Sequence, residues 1–382
     1  MGIANLNFCR ILAILAVFLL VASTSALAQE KVKSDIVFST DSVVTSGYAQ
    51  AITIRNIIQP EFRKEISVFA VQNERDRLNQ LLKGEADLCF CGSVGFMAQE
   101  GLSGFNNADQ GPQEIRRLLS SFGEFAITFA IASRDNKTDI SKLNGKRVVW
   151  LRDNDTYNLH TTALLAFGGL GWRDVQQVIF PDYQAAMEGF QRNLSDALLV
   201  LSSTPDINIL KNGKRRFALA SLPADNRAGW QRLKYLAPYM SPQDAAYQSS
   251  QGNDILKGAT YPYPSLTVTA NTNSELTYTI TRAITEKFDS FAEAAKDIEG
   301  WNILFQDFFG SIPFHDGAIQ YFKELNLWTE EAQQHQDMLL RRQLLLRRAF
   351  ETQKNLHGDK KEFPLIWQEA RDSLLAALAN GQ

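Results

Sequence analysis

The stretch Thr138–Val175, TDISKLNGKRVVWLRDNDTYNLHTTALLAFGGLGWRDV, decides the predicted fold of this chain. Its apolar run Arg147–Leu151 predicts a buried strand, and the apolar run Leu159–Phe167, closed by two glycines, predicts a helix. The polar loop Arg152–Tyr157 therefore lies between the C-terminal end of a strand and the N-terminal end of a helix. Ligands of open α/β sheets bind at such loops, because free backbone N–H groups and the helix dipole point there. The sequence predicts that this loop forms one wall of a ligand cleft.

The same order of strand, polar loop and helix recurs in the N-terminal part of the chain. Strands are predicted at Asp35–Ser39, Ile66–Val71 and Ala86–Cys91, with helices starting at Tyr48 and Asn73. Repeats of this kind predict a parallel sheet whose loops gather along one edge.

The apolar run Phe125–Ala132 is long enough for the chain to pass from a first structural unit into a second. A strand predicted at Val268–Asn271 returns the chain to the first unit. A helix is expected at Phe291–Ile298. Two α/β lobes joined by two crossings are typical of a hinged ligand-binding protein. The expected bounds are residues 34–125 with 267–328 for lobe I and residues 126–266 for lobe II.

Composition and motifs favour a binding protein over an enzyme. The chain has 382 residues, 45% hydrophobic and 21% charged, as in soluble globular proteins. Its formal net charge of −3 gives no electrostatic footprint for nucleic acid. The segment Cys91–Gly95, CGSVG, lacks the first glycine of a nucleophile elbow, and no phosphate-binding glycine loop occurs. The four histidines stand at no metal-ligand spacing, so no catalytic residue, cofactor or metal is predicted.

The N-terminus has the pattern of a secretory signal peptide. Arg10 supplies a positive charge, Ile11–Ala22 an apolar core, and Ala26-Leu27-Ala28 a small-residue cleavage site. Residues 1–28 are therefore predicted to be removed and the protein to reside in a bacterial periplasm. An uncleaved membrane anchor is the alternative, although the apolar core is short for a membrane span.

Two cysteines remain after the signal peptide, Cys89 and Cys91. A disulfide between positions i and i+2 of a strand would be strained, so two buried, reduced thiols are expected.

Residues 329–382 are predicted to form a helical extension. Thr329-Glu330-Glu331 is a helix start, His357-Gly358-Asp359 a break, and Pro364 the beginning of a last helix. A hairpin packed on the body is the simplest interpretation. The alternatives are a docking or dimerisation surface for a protein partner, or, because arginines interleave with the apolar positions, a role at a membrane surface.

Several motifs resemble the TAXI-type solute receptors of tripartite ATP-independent periplasmic (TRAP) transporters. They are Leu81–Asp87 (LLKGEAD), Leu143–Val148 (LNGKRV), Leu164–Gly171, Ser195-Asp196-Ala197 with Pro205, and Pro313–Ala318 (PFHDGA) running into Tyr321–Glu324. The resemblance covers Ile36–Trp328. It implies a type II periplasmic-binding-protein fold, a ligand such as glutamate or another small organic acid, and delivery to a sodium-coupled membrane permease.

This sequence departs from the TAXI pattern mainly where ligand should bind. The usual Gly-Ser-x-x-Asn before the second helix is replaced, and so is the Gly-Ser-Gly-Thr loop of lobe II. Alignment with these places and the loops at strand ends give the candidate ligand-binding residues. They are Ser46, Gly47, Tyr48, Asn73, Glu74, Arg77, Ser93, Asp155, Thr156, Tyr157 and Thr204.

The charged candidates suggest the chemistry of the ligand. Arg77 is suited to clamp a carboxylate bidentately, with Arg75 and Arg152 as competitors for that role, or it pairs with Glu74 on its own helix. Glu74 and Asp155 facing each other across the cleft need a cation between them. An α-amino group, or a larger polar cationic ligand, would supply it, and the pattern favours an amino acid or a similar zwitterion.

The uncharged candidates have a structural alternative as well. Tyr48 and Tyr157 would stack on a ligand or pack within their own loops. Ser46, Ser93 and Thr204 would donate hydroxyl hydrogens to a carboxylate or serve only as helix caps.

The sequence thus predicts a receptor, and not an enzyme, that closes on a small polar metabolite, an amino acid or small organic acid, and delivers it to a TRAP permease. The alternative is a sensor component that signals to a membrane partner through its C-terminal helices.

Overall fold

The computed structural model describes residues 35–134, 139–249, 252–294 and 298–379. The predicted signal peptide, residues 1–28, lies outside the described residues. Within the described ranges no helix is both long enough and apolar enough to span a membrane.

The helices and strands follow one another along most of the described chain. The strands are β1 (Ile36–Thr40), β2 (Ile66–Ala70), β3 (Leu88–Cys91), β4 (Ile115–Ser120), β5 (Ile127–Ala132), β6 (Arg147–Leu151), β7 (Gln176–Phe180), β8 (Ala197–Leu201), β9 (Phe217–Leu219), β10 (Ser241–Ser249), β11 (Gly252–Thr260) and β12 (Ser265–Thr269). The helices are α1 (Ser46–Ile58), α2 (Glu74–Leu82), α3 (Val94–Glu100), α4 (Asp155–Phe167), α5 (Tyr183–Gln191), α6 (Asp206–Asn212), α7 (Arg227–Leu236), α8 (Ser274–Glu286), α9 (Asp316–Glu324), α10 (Glu330–His357) and α11 (Phe363–Ala379).

The first sheet has the order β2-β1-β3-β12-β4. Strand β1 pairs in parallel with both β2 and β3, as the repeated strand-loop-helix pattern predicts. Strand β12 returns from the second sheet and pairs antiparallel with β3 and β4, so the sheet is mixed. Its core includes Phe38, Phe90, Leu266 and Trp301, all buried.

The second sheet has the order β10-β11-β5-β8-β6-β7, with β9 paired to β5. Strand β6 lies parallel to β7 and β8, while β5 runs antiparallel to β8. The chain passes between the two sheets twice, after β4 and after β11. The predicted two-lobe α/β architecture is therefore confirmed, and below, lobe I and lobe II denote the parts built on the first and the second sheet.

The C-terminal helices pack on lobe I. The side-chain amide of Gln343 in α10 donates to the side-chain oxygen of Gln99 in α3, and Trp367 of α11 donates its indole hydrogen to the carbonyl oxygen of Gly101 at 2.7 Å. The hairpin predicted for residues 329–382 is thus present in the described part of that segment, and its inner face is covered by the body.

Two local predictions are wrong. No helix forms over the described residues of Phe291–Ile298: turns follow Phe291 and a 3₁₀ turn covers Ile298–Trp301, which lets Phe291, Ile298 and Trp301 all enter the core of lobe I. Cys89 and Cys91 are joined as a disulfide instead of remaining reduced thiols. Their Cα atoms are 5.4 Å apart, within the range that a disulfide spans.

Candidate functional site

A cavity of about 600 Å³ lies between the two lobes, and we call it the first cavity. Its wall comes from segments that follow the C-terminal ends of β1, β2, β3, β6 and β8, and from the chain crossings. This is where open α/β sheets bind ligands, because the loops after parallel strands meet there. The loop predicted from the opening stretch supplies Asp153, Asn154, Asp155 and Thr156 to this wall.

Two polar contacts join the lobes at the rim of the first cavity. The side-chain amide of Asn73 in lobe I donates to the backbone oxygen of Asp153 in lobe II at 3.1 Å. The guanidinium of Arg75 forms an ion pair with Asp155 at 3.0 Å, both side chains being about one quarter to one third exposed. The lobes therefore meet directly across the cavity entrance in this structure.

Glu74 forms a third connection between the lobes. One of its carboxylate oxygens accepts a hydrogen bond from the backbone N–H of Gly92, within lobe I. The other accepts from the hydroxyl of Thr156 in lobe II at 2.5 Å. A single carboxylate thus binds both lobes, and its position depends on their being closed.

Arg77 pairs with a residue that the sequence did not suggest. It is 3% exposed, and its guanidinium lies 3.2 Å from the carboxylate of Asp41, not against Glu74. Tyr263 donates its hydroxyl hydrogen to the same carboxylate at 2.7 Å. Burial alone lowers the pKa of Arg77, but Tyr263, Glu74 and Asp41 outweigh burial and raise it. Arg77 is therefore a permanent cation held in the wall by the acidic groups beside it.

The cation that Asp155 needs comes from the chain itself. Arg75 is the cation that pairs with Asp155, whereas the sequence alone suggested a positive group on the ligand. Burial nevertheless raises the pKa of Asp155, Asp153 raises it further, and Arg75 offsets only part of this effect. The carboxylate of Asp155 is thus incompletely compensated, and an additional positive group nearby would stabilise its charged form.

Seven of the eleven predicted site residues line the first cavity: Ser46, Asn73, Glu74, Arg77, Asp155, Thr156 and Thr204. The other four, Gly47, Tyr48, Ser93 and Tyr157, do not belong to its wall. Tyr157 is buried in lobe II, where its hydroxyl accepts a hydrogen bond from the backbone of Leu199 at 3.0 Å. Ser93 lines a different cavity. A ligand-binding role for any of the eleven remains a prediction.

Sequence reasoning missed aromatic wall residues from the chain crossings. Tyr261 and Tyr263 lie in the segment after β11, and Phe125 lies just before β5. The rings of Phe125 and Tyr261 meet edge to face with centroids 5.2 Å apart. The unusual run Tyr-Pro-Tyr-Pro at 261–264 was the available signal, but nothing local shows that it crosses between lobes.

The wall is amphoteric, with an acidic excess. Four carboxylates, those of Asp41, Glu74, Asp153 and Asp155, stand against the guanidinium groups of Arg75 and Arg77, a formal charge of −2. Helices α1, α2, α4 and α6 also begin at or beside this wall. Their N-terminal dipoles favour a negative group, whereas the carboxylates favour a positive one. Among the residues that the structure describes, no cluster of His, Cys, Asp or Glu side chains is arranged to hold a metal ion.

A protein-family model described as the NMT1-like family matches residues 38–325, three quarters of the chain. The chain belongs to this family. The match spans both lobes and ends before α10, so the C-terminal hairpin of this NMT1-like protein lies outside it. The match names the NMT1-like family and not the TAXI group, so the resemblance to TAXI receptors remains a prediction.

Solved structures similar to this NMT1-like protein include three binding proteins. The periplasmic aliphatic sulphonate binding protein SsuA from Escherichia coli is 13% identical, with a TM-score of 0.43, over 81% of this chain and 88% of its own. A mutant of ArgBP from T. maritima is 11% identical, with a TM-score of 0.42, over 70% and 95%. An amino acid ABC transporter substrate-binding protein from Streptococcus pneumoniae, bound to L-arginine, is 11% identical, with a TM-score of 0.38, over 70% and 93%. No curated protein matches the chain in sequence.

Proposed function

We propose that this protein is a solute-binding receptor whose lobes close on a small zwitterionic or cationic metabolite, of the amino-acid type, in the first cavity. The observation that carries this proposal is the formal charge of −2 on the cavity wall, which remains after both arginines have found carboxylate partners. A ligand with a positive group offsets this charge, whereas a simple dicarboxylate adds to it.

The wall contains complementary groups for both ends of such a ligand. The rings of Tyr261 and Phe125 supply flat aromatic faces, which attract an ammonium or guanidinium group as well as packing on its alkyl stem. The starts of α1 and α4 favour the ligand carboxylate. Ser46 and Thr204 add hydroxyl groups on opposite lobes.

Closure follows from the contacts at the rim. Asn73 with Asp153 and Arg75 with Asp155 hold the lobes together at the surface. A bound solute that contacts both lobes stabilises this closed arrangement over an open one, because the binding energy differs between the two states. Closure on a bound solute displaces water from the cavity, and the electrostatic contacts inside it strengthen as a result.

The predicted signal peptide and the resemblance to TAXI receptors support a periplasmic location and delivery of the solute to a TRAP-type permease. A second candidate function, signalling to a membrane partner, is favoured by apolar side chains on the outer faces of α10 and α11. These are Met338, Leu344, Leu356 and Leu365, which are 44–63% exposed. If the hairpin is the docking surface, trimming residues 330–382 would abolish partner binding and leave solute affinity intact.

A panel of solutes of matched length tests the proposed ligand class. Calorimetric titrations of the mature protein would compare lysine, which carries both kinds of charge, with cadaverine, which lacks the carboxylate, and glutarate, which lacks the ammonium groups. We expect saturable binding of lysine or another cationic amino acid and none of glutarate. Binding of dicarboxylates alone would refute the proposed ligand chemistry.

Asp155→Asn tests the role of the incompletely compensated carboxylate. Removing its charge should weaken binding of a cationic ligand by about tenfold, the effect of 1.4 kcal/mol. Glu188→Gln is the matched control, since Glu188 pairs with Arg192 on the exposed surface of lobe II, away from the cavity. Equal affinities of the two variants would remove Asp155 from the binding site.

A further inference from the structure

A second cavity, of about 250 Å³, lies where the two lobes and the crossing after β11 meet. Its wall includes Ser93 and Arg117 from lobe I, Lys234 and Tyr239 from lobe II, and Thr260 at the end of β11. It is a separate space from the first cavity, although the ring of Tyr261 contributes to both walls.

Arg117 is a buried cation without a carboxylate partner. It lies on β4, is 4% exposed, and forms no ion pair with any carboxylate in the described part of the chain. One terminal nitrogen donates to the backbone oxygen of Asp307 at 2.5 Å, and the guanidinium sits 4.2 Å from the centre of the Phe314 ring. Its Nε is buried and has no hydrogen-bond partner among the described residues. Burying an unpaired charge costs free energy, so an anion bound beside Arg117 would stabilise this arrangement.

Burial lowers the pKa of Arg117 to about 10, and the smaller effect of Asp307 acts in the opposite direction. The group therefore remains positively charged at neutral pH. An anion beside it would oppose the effect of burial, as the carboxylates beside Arg77 do in the first cavity.

Other polar groups of the second cavity agree with an anionic occupant. The hydroxyl of Thr260 is buried and has no partner in the described residues. Lys234 adds a second positive charge, and Ser93 and Tyr239 add hydroxyl groups. The only carboxylate in the wall, among the residues described, is that of Asp307, which is exposed and accepts a hydrogen bond from the backbone of Phe309 at 2.8 Å. The formal charge of this wall is +1, opposite in sign to that of the first cavity.

We propose that the second cavity binds a small oxyanion, a carboxylate or a tetrahedral inorganic anion, with Arg117 as its ion-pair partner. The planar guanidinium matches two oxygens of such an anion, and surrounding hydroxyl groups donate to the remaining ones. A volume of about 250 Å³ admits an anion of this size but is less than half that of the first cavity. The anion is therefore a second ligand and not the transported solute.

An anion bound in the second cavity would favour one relative position of the two lobes. The wall is complete only while Arg117 of lobe I and Tyr239 of lobe II lie on either side of the same space. An anion that contacts both favours this arrangement over any in which the lobes have separated. It follows that anion and solute binding reinforce each other, because such coupling is reciprocal.

The proposal is tested by titrating the mature protein, in a chloride buffer of constant ionic strength, with sulfate and separately with acetate, while heat and melting temperature are measured. We expect saturable binding of at least one of them. Preference for acetate would identify an organic carboxylate as the occupant, and preference for sulfate a tetrahedral anion. Absence of saturable binding of either would overturn the proposal.

Two variants locate the site. Arg117→Met should lower anion affinity at least tenfold while leaving the protein no less stable without anion, since it replaces an unpaired buried charge by an apolar chain of similar length. Lys142→Gln, an exposed lysine outside both cavities, is the matched control and should bind as the unmodified protein does. Sulfate also stabilises proteins in general. An equal sulfate effect in Arg117→Met would therefore count against the site.

Thr260→Val and Lys234→Gln serve if Arg117→Met fails to fold. The first removes only the unpartnered hydroxyl, and the second removes a charge near the surface. Weaker anion binding in both, with unchanged stability, would support the second cavity. Unchanged anion binding in both would refute it. Neither result depends on the first cavity, because none of these residues lines it.

Discussion

Glu100 offers the sharpest test of how the C-terminal hairpin is attached. Its carboxylate is fully buried at the end of α3 and meets two arginines, Arg342 of α10 and Arg371 of α11. Arg342 binds both oxygens at 2.7 Å, and Arg371 binds one of them at 2.6 Å. Replacing Glu100 by Gln keeps the volume but removes the charge that both guanidinium groups face.

The expected loss in free energy of unfolding is about 3 kcal/mol. Removing one partner of a buried ion pair costs roughly 3–5 kcal/mol, because an uncompensated charge stays behind. The lower end applies, since Arg342 is 31% exposed and water takes over part of its stabilisation. Arg342 binds both carboxylate oxygens and Arg371 only one, so Arg342 should show the larger coupling to Glu100 in a double-mutant cycle, although Arg371 is the less exposed of the two.

Urea denaturation followed by tryptophan fluorescence measures this loss, because Trp367 lies beside the same contact and reports on it. Glu188→Gln, on an exposed ion pair, is the control and should change stability by less than about 0.5 kcal/mol. A Glu100→Gln variant as stable as this control would refute the idea that the ion pair anchors the hairpin.

The same residue predicts a dependence on pH. Burial raises the pKa of Glu100, but Arg342 and Arg371 outweigh burial and lower it below the usual 4.5. A carboxylate with a lowered pKa stabilises the fold above its unfolded-state pKa and loses that contribution as the pH falls. The stability difference between unmodified protein and Glu100→Gln should therefore be full at pH 7 and shrink as the pH falls below about 4.5.

Two further predictions concern α4. Burial lowers the pKa of His160 to about 3, so the protein should lose free energy of unfolding as the pH falls below 6.5, where the histidine protonates in the unfolded chain but not in the folded one. Between pH 7 and pH 5 this loss amounts to about 2 kcal/mol. Urea titrations at the two pH values should show the loss in the unmodified protein and not in His160→Phe. Asn154 caps α4, because its side-chain oxygen accepts a hydrogen bond from the backbone N–H of Tyr157 at 3.0 Å. Asn154→Ala should therefore lower the free energy of unfolding by about 1 kcal/mol. An unchanged melting temperature would exclude this capping role.

Local patterns in the sequence were sufficient for much of the scaffold. Strand β6 has the predicted bounds, Arg147–Leu151, and α1 starts only two residues before the predicted Tyr48. The alternation of apolar and polar residues, helix-capping residues and the glycines that end helices each act over a few residues. The sequence of a single segment is therefore enough to predict its helix or strand.

Helix α3 and the hairpin of β10 and β11 were not predicted, because their sequences lack such a pattern. Helix α3 is buried on every side, so no polar face marks it as a helix. The hairpin of β10 and β11 has few apolar residues, because it lies at the edge of the second sheet, where strand pairing and not burial holds it.

For the candidate site, the sequence by itself determined which loops stand at strand ends, and with them seven of the residues that line the first cavity. Only the tertiary structure decided their partners. Arg77 meets Asp41, and Glu74 meets Thr156, 82 residues away in the other lobe. It also brought Arg117 and Thr260 to one cavity wall, where Arg117 forms no ion pair and the hydroxyl of Thr260 has no partner among the described residues. The physical reason is that local propensity acts over a few residues, whereas the charge balance of a cavity depends on which distant segments the packed lobes bring together.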